Sequence, residues 1–182
     1  MKKIIAVAAV MLFAVSVTKA SNYPADYTNQ TARVVSKGPA VVALVSSGIM
    51  NKLVIAYKRS GILGGSDSIQ AVVRVTALEY YSGYSKTTER IVTLPKEWHG
   101  TGFMTPEMSM YDFIPASFAG DIKRIELAFF SGPQWDSNYS ANYVIEKDEL
   151  NWGVAATFKS GHGGGPNIDQ YCWDFIVGQM RK

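Results

Sequence analysis

Cysteine is almost absent from this chain: its 182 residues include one, Cys172. A lone thiol excludes an intrachain disulfide, so packing has to hold the fold even in an oxidising compartment. Cys172 sits among Tyr171, Trp173 and Phe175, a setting that predicts a buried, unpaired thiol. Histidine is nearly as scarce. His99 and His162 are the two present, and neither belongs to an H-E-x-x-H or comparable ligand array, so no metal or other cofactor is expected. The chain also has no G-x-S-x-G nucleophile elbow. Without one, the run His162-Gly163-Gly164-Gly165 has no nucleophile to serve as an esterase oxyanion loop and is expected to be a Gly connector.

Long apolar stretches are also missing once the first residues are passed. Met1-Lys2-Lys3 is a positive start, Ile4 to Val17 carries no charge, and Thr18-Lys19-Ala20 ends on a small residue. This is the pattern of a cleaved export signal over residues 1–20, and it predicts a secreted or periplasmic protein. Fourteen uncharged residues fall short of the roughly twenty that span a bilayer, so no stable membrane insertion is expected after cleavage. No Cys stands at the cleavage point, which excludes a lipoprotein anchor. Loss of Lys2, Lys3 and Lys19 would bring the 18 Lys and Arg down to 15, equal to the 15 Asp and Glu. A neutral mature chain lacks the basic footprint that nucleic acid or an anionic membrane surface requires. The remaining 162 residues suffice for one domain with a substantial core.

What the chain has in quantity is short β-rich runs. Residues 21–39 are expected as an N-terminal loop or edge segment, polar from Ser21 to Thr31. Ala40 to Val45 and Leu53 to Tyr57 are apolar runs separated by Ser46-Ser47-Gly48. From Ile69 the pattern alternates, with Ile69, Ala71, Val73, Val75 and Ala77 on one face and Gln70, Arg74 and Thr76 on the other, the period of a half-buried strand. Arg90 to Leu94, Met108 to Ile114, Ile122 to Phe130 and Tyr143 to Ile145 add further strands, with a loop expected over Lys96 to Glu107. Gly and Pro turns separate them. At least seven strands of this kind predict an all-β fold, an immunoglobulin-like antiparallel β-sandwich over residues 40–147.

One turn speaks about function. Trp135-Asp136-Ser137-Asn138-Tyr139-Ser140-Ala141-Asn142-Tyr143 follows the apolar strand ending at Phe130. An indole and a phenol can stack on the apolar faces of sugar rings, and Asp and Asn side chains offer donors and acceptors to sugar hydroxyls. The segment resembles the W-D-N-N-x-x-x-N-Y signature of starch- and glycogen-binding carbohydrate modules of the family 21 type. It matches at Trp135, Asp136, Asn138, Asn142 and Tyr143 and departs at Ser137. Upstream, Ala71-Val72-Val73-Arg74-Val75-Thr76 followed by Tyr80 is similar to that family's V-x-V-R-x-T strand and the stacking aromatic after it. The resemblance covers roughly residues 50 to 147, and starch-binding modules of neighbouring families carry similar W-D-x-N hairpins.

The resemblance implies a non-catalytic protein that binds an α-glucan. Trp135 and Tyr80 would be its stacking platform, and Asp136, Asn138, Asn142 and Tyr143 would shape the loop and supply hydrogen bonds. The same residue types would also suit a packed corner, since Asn tolerates left-handed backbone. A sandwich of this kind would equally serve an exported interaction protein that meets a protein or cell-envelope partner. Cleavage of a glycoside would need two flanking carboxylates, for which Asp136 with Glu79 or Glu126 are the candidates in sequence. Residues 148–182 extend beyond the resemblance and are expected to pack on the sandwich. Trp152 to Phe158 suits one more strand. Ile168, Tyr171, Cys172, Phe175 and Ile176 fall at helical spacing behind an Asn167 to Gln170 capping box. The same stretch alternates as a strand, and its aromatic and β-branched content favours a strand that covers a sheet edge.

Overall fold

The computed structural model describes residues 29–47, 50–115, 118, 120–159 and 167–182. The expected export signal, the connector from Gly161 to Pro166 and His162 lie outside them. In chain order the strands are β1 (Asn29–Lys37), β2 (Ala40–Ser47), β3 (Met50–Lys58), β4 (Ile69–Glu79), β5 (Ser85–Leu94), β6 (Gly102–Met104) and β7 (Met108–Ser109). They continue with β8 (Gly120–Ser131), β9 (Gln134–Asp136), β10 (Tyr143–Glu146) and β11 (Val154–Lys159). Two helices, α1 (Lys147–Trp152) and α2 (Gln170–Met180), flank β11.

The strands form two antiparallel sheets. One has the order β11-β1-β2-β3-β6, with β7 also pairing β3; the other has the order β10-β8-β4-β5, with β9 also pairing β8. Their facing sides make the main core. Ala40, Val42, Leu53, Ile55 and Tyr57 come from the six-stranded sheet, and Ile69, Ala71, Val73, Val75, Ile125, Leu127 and Phe129 from the other. The expected antiparallel β-sandwich of seven or more strands is therefore the fold of this chain.

A second core explains why β2 and β3 are apolar at consecutive positions rather than alternate ones. Val41, Ala43, Val45, Val54 and Ala56 point away from the sandwich interior and are buried under α2, against Ile168, Cys172, Ile176 and Met180. Strands buried on both faces read as continuous apolar runs. Among the described residues, no helix covers the outer side of the five-stranded sheet in this way. Its outer positions Arg74, Glu89 and Ile91 are exposed, and this open face carries the candidate site.

The C-terminal segment corrects the expectation of a strand. Residues 170–180 are helical, capped by Asp169, whose side chain accepts from the Tyr171 amide at 3.0 Å. Cys172, Ile176 and Met180 recur at four-residue intervals and fall on one side of the helix, and the outer face of the six-stranded sheet offers that side an apolar bed. This burial outweighs the β preference of the aromatic residues, which are propensities of well under 1 kcal/mol each. Edge covering is done instead by β11, which pairs β1 from Asn29↔Lys159 to Val34↔Val154. Residues 29–37, expected within a loop or edge segment, therefore form an interior strand. The loop expected over residues 96–107 contains β6. The strand expected over residues 108–114 is limited to β7, because Ser109 caps a 3-10 turn at Met110–Asp112.

Candidate functional site

Strand β9 is three residues long, and its alternation separates two roles. In a strand successive side chains point to opposite faces, so Asp136 turns inward and is 8 % exposed, while Trp135 turns outward and is 52 % exposed. A buried carboxylate needs partners. Asp136 has two phenols: the Tyr57 hydroxyl donates to Oδ2 at 2.5 Å and the Tyr143 hydroxyl donates to Oδ1 at 2.6 Å. Tyr57 belongs to β3 in the six-stranded sheet, so this hub ties the two sheets together. The Tyr57 hydroxyl also accepts from the Leu63 amide at 3.2 Å. That approach requires Gly61, where a Cβ would lie 2.3 Å from the same hydroxyl. Phe129 packs between the two rings, with centroids 4.8 Å from Tyr57 and 6.0 Å from Tyr143. Burial first, then the bond to Asp136, raises both phenols well above the ordinary tyrosine range.

Beyond Asp136 the chain makes an unusual turn. Asn138, Tyr139, Ser140 and Asn142 all have positive φ, from 48° to 67°. Residues other than glycine enter that region at a cost, and such strain persists only when the surroundings fix it. Here the Asn142 amide donates to the Ser137 carbonyl at 2.8 Å, the Ala141 amide to the Asn138 carbonyl at 3.2 Å, and Asn138 Nδ2 to the Asn142 carbonyl at 3.3 Å. Both ends are anchored by the hub, through Asp136 and Tyr143. The turn therefore holds Tyr139 fully in solvent and sets Asn142 beside the outer face. Sequence reasoning did not single out Tyr139, although its place among turn residues that favour left-handed backbone was the available signal.

On the outer face, the Trp135 indole lies on the Phe130 ring, 4.6 Å between centroids and 23° between planes. Phe130 pairs with Trp135 across β8 and β9, and with Gln70 across β8 and β4. Next to this stack is a shallow depression of about 320 Å³, bounded by Trp135, Asn142, Val72, Ala128, Arg74 and the carboxylates Glu89 and Glu126. Arg74 is ion-paired with Glu89, which raises its guanidinium above the ordinary arginine value. Arg124 holds Glu126 at 2.7 Å. The site thus joins a rigid aromatic surface, an apolar strip and paired charges of both signs.

The structure brings Trp135, Asn138 and Asn142 to this region, with Asp136 and Tyr143 beneath it. It does not bring Tyr80. Gln70 lies in the row of Phe130 and Trp135, whereas Glu79 pairs with Gly120 at the far end of β4; ten residues of strand separate Tyr80 from Trp135, roughly 30 Å at about 3.3 Å per residue. Tyr80 is exposed there with Tyr81 and Tyr84 on the β4–β5 hairpin. The two aromatics therefore do not make one platform. The candidate carboxylate pairs are not assembled either: Asp136 faces the interior and Glu126 the outer side of the same sheet, and Glu79 is at the distal hairpin. Among the described residues no group of three or more His, Cys, Asp and Glu is placed to hold a metal ion, and no described helix is long and apolar enough to cross a membrane. The chain matches no family model, no curated protein and no solved structure.

Proposed function

We propose that this is an exported, non-catalytic protein that binds an α-glucan of the starch or glycogen kind at the open face around Trp135. The observation that carries this reading is the half-exposed indole, held flat on Phe130 and bordered by Asn142, Arg74 and Glu89. An aromatic plane fixed from below presents its other face at little entropic cost, and sugar rings stack on such planes while neighbouring polar groups orient their hydroxyls. Asn142 borders the depression and would meet the ligand, and Asn138 shapes the loop by donating to the Asn142 carbonyl. Asp136 and Tyr143 act from beneath, since their polar atoms are already bonded to each other and to Tyr57. Paired charges of both signs suit a neutral polymer better than nucleic acid or an anionic lipid surface.

A second reading rests on a separate feature. Glu79-Tyr80-Tyr81-Ser82-Gly83-Tyr84-Ser85 displays three exposed tyrosines on a tight hairpin, and Tyr with Ser and Gly is the composition that recognition loops use to bind proteins. It favours an exported interaction protein that meets a protein or cell-envelope partner. Native electrophoresis through soluble starch separates the two, with cellulose and chitin as controls. Retardation in starch alone, relieved by soluble malto-oligosaccharide, supports the glucan reading; equal mobility in all gels rejects it in favour of the hairpin.

A further inference from the structure

We propose that the cleft between the two sheets at the Arg33 end of the sandwich binds a small organic acid, an apolar body bearing one carboxylate. The inner face of the six-stranded sheet loses its apolar character towards this end in register. The cross-strand row Val35–Val42–Ile55 is core, the next row is Arg33–Leu44–Leu53, and the last is Thr31–Ser46–Asn51. Arg33 thus stands on the inner side of the sheet where the sandwich opens to solvent, and it is exposed. The cleft beside it has a volume of about 330 Å³, with Leu44, Met110, Ile114 and Ile122 as apolar walls. That volume stands at the lower end of small-molecule sites, about 300–1,000 Å³, and fits a short acid rather than a long-chain lipid.

Charge selects the class. Among the described residues, the charged side chains on the cleft are Arg33 and Asp121. Asp121 is already satisfied, with Oδ1 accepting from the Ile122 amide at 2.8 Å and Oδ2 paired with Lys147 at 2.8 Å. Arg33 donates from Nη1 to the Asn151 carbonyl at 2.5 Å and, among the described residues, has no carboxylate within ion-pair distance. A guanidinium carries five donors in a fork that matches a carboxylate, and Arg33 is exposed at the mouth of the cleft. The Asn51 amide, also on the lining, offers further donors, while the Ser46 hydroxyl donates to the Thr31 carbonyl at 3.5 Å. A neutral apolar molecule would make no use of the guanidinium, and a bare anion would leave the apolar walls unfilled.

The test is an amide-resolved NMR titration of the full chain with octanoate, with octanamide and acetate in parallel. Octanoate should shift the amides of Arg33, Ser46, Met110 and Ile122 saturably at sub-millimolar concentration, and bind about tenfold or more tightly than octanamide, as a charge-assisted contact of about 1.4 kcal/mol requires. Arg33→Gln should abolish the preference for the acid. Leu44→Phe, which leaves the guanidinium in place and narrows the cleft, should weaken octanoate as a second check should Arg33→Gln fold poorly. Trp135→Ala should leave octanoate binding unchanged, so the outcome is independent of the glucan site. Unsaturable shifts at millimolar octanoate, or equal affinity for acid and amide, would overturn the proposal.

Discussion

Replacing Asp136 by Ala should destabilise the protein strongly, although its neighbour Trp135 can be replaced at small cost. The carboxylate accepts from two buried hydroxyls, Tyr57 and Tyr143. Each hydroxyl left without an acceptor costs about 1–3 kcal/mol, and removing the carboxylate also relieves its own desolvation, so a net loss of about 3 kcal/mol is expected. For a domain of this size that corresponds to a fall in Tm of roughly 6–12 °C. Urea unfolding followed by circular dichroism should show a lower midpoint with an unchanged slope, the mark of a stability change alone. A double-mutant cycle sharpens the point. Tyr143→Phe alone should cost about 1 kcal/mol, and in the Asp136→Ala background it should cost nothing, because the hydroxyl then lacks its partner. An Asp136→Ala protein that melts within about 2 °C of the parent would refute the hub as the anchor of the turn.

Three further outcomes follow from the same packing. Tyr57 and Tyr143 have folded values raised above their unfolded one, so above about pH 10 the unfolded chain loses these protons before the folded chain does. Stability contributed by the neutral phenols is complete below that pH and declines as pH rises through the raised values; in a phenolate absorbance titration, two tyrosines should ionise together with unfolding rather than with the exposed set. Burial pushes the Cys172 thiol up to about 12, so a disulfide reagent at pH 8 should leave it unmodified in the native protein and modify it at once in urea. Removing residues 167–182 should uncover Val41, Ala43, Val45, Val54 and Ala56 on the six-stranded sheet and make the protein aggregate; a soluble truncation with an unchanged Tm would contradict the role given to α2.

The sandwich was legible because β4 and β8 alternate: Ile69, Ala71, Val73 and Val75 lie beside Ile125, Leu127 and Phe129 on one face of the five-stranded sheet and meet Val42, Leu53 and Ile55 of the other sheet across the core, and a period of two places them so. Helix α2 was not, since Tyr171, Trp173 and Phe175 favour strand locally. Its helical stripe gains its value from the apolar face lying above β1 to β3, a tertiary fact. Within the candidate site, the motif marked the turn after β9, and Trp135 does face outward. The motif left open which polar residues are buried, because Asp is usually exposed and the burial of Asp136 depends on Tyr57, 79 positions away in sequence. The separation of Tyr80 from Trp135 is equally invisible in sequence. It follows from pairing register, which a single sequence does not print.

Calorimetric titration with maltoheptaose, run on the parent protein, Trp135→Ala and Tyr80→Ala, tests the central claim most directly. The parent should bind, and Trp135→Ala should lose binding to below detection while keeping its circular dichroism spectrum, since deleting a stacking residue at the heart of a site costs on the order of 2 kcal/mol or more, about thirtyfold in affinity. Tyr80→Ala should bind like the parent, because roughly 30 Å of strand separates it from the indole. Undiminished binding by Trp135→Ala, or loss of binding through Tyr80→Ala alone, would contradict the placement of the glucan site on the open face.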